Sequence, residues 1–67
     1  MEFRLEILKK YINNSPMTHD EIAEGSNISI ATYFRKIKNG NLTVGELCAI
    51  VNTLGLSKDQ VLSILGL

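Results

Sequence analysis

Only one cysteine, one histidine and one proline occur in the chain, and there is no tryptophan. A lone Cys cannot close a disulfide within the chain, and one Cys with one His cannot supply the ligand set of a structural zinc site. Domains of 67 residues often depend on such staples. Here stability must come from apolar packing, which the 45% hydrophobic content allows. Cys48 stands between Leu47 and the run Ala49-Ile50-Val51, so it reads as a small buried apolar residue rather than a nucleophile. A reduced, cytoplasmic setting is the matching expectation.

Charge of one sign is also missing. Seven basic and seven acidic side chains cancel, which argues against a polyanion binder that relies on bulk attraction. Long hydrophobic runs are absent as well; no stretch approaches the ~20 apolar residues of a membrane span. The opening residues alternate in charge (Glu2, Arg4, Glu6, Lys9), unlike a secretory leader. Sustained alternation of apolar and polar residues is lacking too, so strands are not expected.

What remains is helical periodicity broken by caps. Phe3, Leu5, Ile7, Leu8, Tyr11 and Ile12 recur at three- and four-residue spacings, which predicts a first helix from about Glu2 to Asn13. Asn13-Asn14-Ser15-Pro16 breaks it. Thr18-His19-Asp20-Glu21 reads as a capping box that opens a short second helix with Ile22 and Ala23 inward. Gly25-Ser26-Asn27 is the next turn, Asn27 being tolerant of left-handed backbone. Ser29 caps a third helix from Ile30 to about Asn39, and Gly40 ends it. Two more boxes, Thr43-Val44-Gly45-Glu46 and Ser57-Lys58-Asp59-Gln60, open helices over Val44–Leu54 and from Lys58 to about Leu65. The expected fold is one all-α domain over residues 1–67, a compact five-helix bundle. Tyr33, Ile37, Leu47, Ile50, Val51 and Leu54 are assigned to its core, with Tyr11 at the core edge.

The stretch NISIATYFRKIKNG, Asn27 to Gly40, holds three of the seven basic residues and no acidic one. Two short helices joined at Asn27, the second of them basic, have the outline of a helix-turn-helix. Ala23 at a close-packing point and the anchors Tyr33 and Ile37 strengthen that outline. On these residues the chain resembles the Cro and lambda-repressor type helix-turn-helix proteins, also called the xenobiotic-response-element type. The resemblance runs through MTHDEIAEGSNIS, IATYFRKIKNG and LTVGELCAIVNTLGLSKDQVL, Met17 to Leu62, and is nearest to the phage-encoded branch. Asn27 stands where many members have glycine, and Ile30 where many have a long polar residue.

The resemblance implies a helix-turn-helix at about residues 18–39 whose second helix lies in the major groove of double-stranded DNA. Arg35 is then the strongest base reader, since a guanidinium can span the two acceptors of guanine. Thr32 can bond or touch a base, while Ile30 and Ala31 suit thymine methyl groups. For Phe34, groove contact and burial against a neighbouring helix both stand. Lys36, Lys38 and Asn39 would meet phosphates, as would Ser29 and Thr43 at helix starts and His19 at the head of the second helix. Without that context, a basic helix face is simply solvated.

Val61, Leu62, Ile64, Leu65 and Leu67 are unusually apolar for an outer helix, so they either cap the core or form a homodimer interface. A two-fold pair would read a near-palindromic operator. The resulting expectation is a Cro-like repressor of phage or prophage type that occupies an operator, with no cofactor and no small-molecule ligand. Two other functions stay open: a protein-interaction module of antirepressor or antitoxin kind, and the DNA-binding end of a longer regulator. An enzyme is not expected, because His19, Cys48, Asp20 and Glu21 cannot be assembled from these helices into nucleophile, base and orienter.

Overall fold

The computed structural model describes residues 3–67. It is all-α, and no strand occurs among the described residues: α1 is Leu5–Asn14, α2 His19–Gly25, α3 Ile30–Asn39, α4 Val44–Leu54 and α5 Lys58–Leu65. Packing is divided, with α2 lying against both α3 and α4 while α1 lies against α5. The radius of gyration, 10.7 Å, equals the roughly 11 Å of a compact chain of this length.

Local chemistry sets these limits. All three capping boxes form: Thr18, Thr43 and Ser57 each accept the amide N–H of the third helical residue, and Glu21, Glu46 and Gln60 accept the N–H of the cap. Asn27 has φ +58°, the left-handed turn that separates α2 from α3, and Gly40 at φ +73° ends α3. The Gly40 N–H returns to the carbonyl of Lys36 at 2.7 Å.

One cluster gathers Leu8 and Ile12 of α1, Ile22 and Ala23 of α2, Tyr33 and Ile37 of α3, Leu47, Ile50 and Val51 of α4, and Ile64 of α5. Leu42, in the loop before α4, completes it. Tyr11 sits half-buried at the edge, as its position suggests. None of the helices among the described residues is long and apolar enough to cross a membrane.

Four expectations need correction. The first helix starts at Leu5, not at Glu2, which itself lies outside the described residues; Phe3 and Arg4 are not helical. The Arg4 N–H bonds instead to the Ile64 carbonyl at 2.7 Å, so a tie to α5 overrides the local periodicity. Cys48 is exposed, because it lies about 100° around α4 from Leu47 and so off the face that Leu47, Ile50 and Val51 bury. Leu54 is half-buried beside the core rather than within it. Ile64, offered as part of an interface, is fully buried in the chain's own core and cannot meet a partner.

Candidate nucleic-acid interface

Helix α3 is anchored by Tyr33 and Ile37, both buried. At about 100° per residue, the face opposite these anchors carries Ala31 and Arg35, with Lys38 beside them. All three are exposed. Thr32 and Asn39 lie on the flank toward the loop before α4; Ile30 and Phe34, one turn apart, lie on the other flank. No acidic side chain occurs anywhere in α3.

At the start of α3, Ser29 accepts the Thr32 N–H at 3.3 Å and donates its hydroxyl to the Thr32 Oγ1 at 2.8 Å. The Thr32 O–H is thereby left free to donate away from the helix. The positive end of the helix dipole and the first-turn amides gather at this point, with Ile30 and Ala31 beside them.

Lys36 and Lys38 occupy the last turn, where a cation also suits the negative helix end, a contribution of about 0.3–1 kcal/mol. The two differ in their surroundings. Lys36 donates to the Glu46 carboxylate of α4 at 2.8 Å, and both side chains are largely covered. Glu46 is engaged twice, since the same oxygen accepts the Thr43 N–H at 2.9 Å. The Lys36 ammonium, followed by the Thr43 amide, holds the Glu46 carboxyl below the usual carboxylate range. The charge of Lys36 is therefore spoken for within the fold, and a phosphate would have to compete with Glu46 for it. Thr43 is exposed, but its hydroxyl accepts the Glu46 N–H at 3.1 Å.

Arg35, Lys36 and Asn39 line an open notch of about 240 Å³ together with Asn41. Asn41 escapes a reading based on helix periodicity. Its signal is the polar Asn39-Gly40-Asn41 turn, which returns an amide side chain beside the end of α3.

His19 is exposed at the head of α2, yet its ring has partners within the fold. Its Nδ1 lies 3.0 Å from the Tyr33 hydroxyl, which burial pushes above its ordinary pKa and so keeps protonated. In the Nε2-protonated tautomer the Tyr33 O–H donates to this nitrogen. The imidazole also packs on Phe34, centroids 5.2 Å apart, while Tyr33 meets Phe34 edge-on at 5.4 Å. Phe34 thus packs against His19 and Tyr33, and 49% of the residue remains exposed. Ile30, at 38%, is exposed on the same flank.

On the far side, Val61, Leu62 and Leu65 are half-buried, and Leu67 is 86% exposed. With Ile64 turned inward, the apolar surface there is smaller than the sequence suggests. Comparison with protein-family models, curated proteins and solved structures finds no match to this chain. What the α3 face can do follows from its own residues: two exposed cations, hydroxyl and amide donors on one flank, and an apolar wall on the other.

Proposed function

We propose that the chain is a sequence-specific DNA-binding regulator of the Cro-like kind, in which α2, the Asn27 turn and α3 act as a helix-turn-helix and α3 enters the major groove. The observation that carries this reading is the outward face of α3: Arg35 and Lys38 stand exposed without a carboxylate on the helix, opposite the anchors that fix its angle to α2. Arg35 is the base reader, bidentate to guanine. Lys38, Asn39, Asn41 and the donors at the starts of α3 and α4 hold the backbone and set register. Occupying the operator excludes polymerase or a rival, so the regulator acts as a phage-type repressor in the cytoplasm. Two copies reading a near-palindromic site would double the contacts.

Affinity for selected duplexes, measured by fluorescence anisotropy for wild type and Arg35→Ala, tests this. The substitution should lose about 1–3 kcal/mol at one base-pair position and relax preference there. If Arg35→Ala keeps the same sequence preference at full strength, Arg35 is not the reader. One observation favours a second reading, a protein-interaction module: the exposed Ile30 and Phe34 would equally suit an apolar partner surface.

A further inference from the structure

Resting on the DNA-binding reading, we propose that Ile30 and Phe34 form a fixed apolar wall that takes the C5-methyl groups of thymines, and that His19 is the positioning residue that holds Phe34 in place. The wall is built rather than incidental. Phe34 has the His19 ring 5.2 Å away on one side and Tyr33 at 5.4 Å, and His19 is itself pinned by the Tyr33 hydroxyl at 3.0 Å. The ring is braced from behind by two aromatic neighbours while its outer side stays open. Rotation of an unbraced Phe would cost affinity each time a ligand ordered it.

Charge selects the occupant. Arg35 and Lys38 stand exposed beside the wall on a helix with no carboxylate, so an approaching surface must present apolar groups set among negative charge. The thymine methyl in the major groove, flanked by phosphates, is such a surface. An apolar protein face would leave both cations unmatched.

Spacing then constrains the site. Residues four apart on a helix are displaced by about 6 Å along its axis, close to two base steps of about 3.4 Å. With α3 laid along the groove, the two methyls belong to thymines about two base pairs apart, beside the guanine that meets Arg35.

The test uses the full chain and synthetic duplexes. A preferred site is first selected from a random-sequence library, and each thymine is then replaced singly by 2′-deoxyuridine, which removes only the methyl. In each half-site, two positions about two base pairs apart should each lose about threefold to fivefold in affinity, the worth of one buried methyl group. In Phe34→Ala, one of the two dependences should vanish, and in Ile30→Ala the other should; Arg35→Ala should leave both intact. In His19→Ala, affinity for the thymine duplex should fall toward that for the uracil duplex, which itself should change little.

An equal loss on both duplexes would instead make His19 a backbone contact and remove its positioning role. A selected site indifferent to every thymine-to-uracil change overturns the wall while leaving the regulator reading standing. Failure to enrich any sequence overturns both and moves Ile30 and Phe34 to a protein partner.

Discussion

Gly25 shows how one missing side chain can hold two helices together. It closes α2, and a Cβ built there would stand 2.6 Å from the Thr53 Cγ2 of α4. Thr53 cannot easily turn away, since its hydroxyl donates to the Ala49 carbonyl at 2.8 Å and accepts from the buried Ser26 at 3.3 Å. Alanine would ordinarily gain about 1 kcal/mol over glycine in a helix, but overpacking costs about 1–3 kcal/mol. Gly25→Ala is therefore expected to destabilise, by up to about 2 kcal/mol, and to lower Tm by several degrees in a thermal melt. Adding Thr53→Ser removes the clashing methyl and leaves Oγ1 at 3.2 Å, so the double variant should regain part of the loss. A Gly25→Ala protein as stable as wild type would mean that α2 and α4 do not approach this closely. From sequence, Gly25 reads only as a turn residue, because a close approach between helices leaves no local signature.

At the scale of elements, the limits of α2 to α5 were legible because caps are local chemistry, whereas the start of α1, which has no side-chain cap, was not. Each box needs a hydroxyl and a carboxylate or amide at a fixed spacing, and Asn27 and Gly40 sit where left-handed backbone is required. An apolar residue precedes every side-chain cap: Met17, Ile28, Leu42 and Leu56 stand before Thr18, Ser29, Thr43 and Ser57, and Ile22, Tyr33, Leu47 and Val61 follow at the fourth helical position. All eight belong to the core or pack against it, the arrangement of a hydrophobic staple. Leu42 is the most deeply buried of the four preceding residues, so Leu42→Ala should cost about 2–5 kcal/mol. Thr43→Ala, which loses only the cap, should cost about 1 kcal/mol. Urea unfolding of the two variants checks the order; equal losses would put the element's stability in its cap rather than its staple.

The Lys36–Glu46 pair joins α3 to α4 and was beyond reach of periodicity, which cannot say which outward side chains of separate helices meet. The folded carboxyl of Glu46 titrates below its ordinary value, so its contribution is fully present above the unfolded value of about 4.3 and is lost as pH falls through the folded one. Glu46→Gln keeps the oxygen that receives the Thr43 N–H but removes the charge. In urea midpoints from pH 7 to pH 3, the gap between wild type and Glu46→Gln should therefore be open at pH 7 and close in the acid range below about 4.3. A gap constant with pH would mean that the ion pair contributes nothing to stability, as happens for many partly exposed pairs.

Across the whole molecule, zero net charge makes the salt dependence of binding a measure of local contacts alone. Of the three cations of α3, Arg35 and Lys38 are exposed and Lys36 is paired. With Arg35 on guanine, the one phosphate neutralised by Lys38 in each protomer gives a slope of log K against log salt of about −0.9, and two protomers on one site about −1.8. The site's aromatic brace and notch could be assembled only from the fold, since His19 and Phe34 are far apart in the chain, yet Lys38, the cation that sets this slope, was evident in the sequence. Glu46→Gln adds a discriminating arm: releasing Lys36 toward the backbone should steepen the slope by about 0.9 per protomer. The dimer is the more exposed half of the prediction, because of the five residues expected at its interface Ile64 is buried and Val61, Leu62 and Leu65 are half-buried, which leaves Leu67 alone of them fully exposed. So reduced an apolar surface suits association on the proposed operator better than in free solution. Sedimentation should accordingly show a monomer without DNA and two protomers per site with it. One protomer per site, with a slope near about −0.9, would remove the two-fold partner and leave a single helix reading a single half-site.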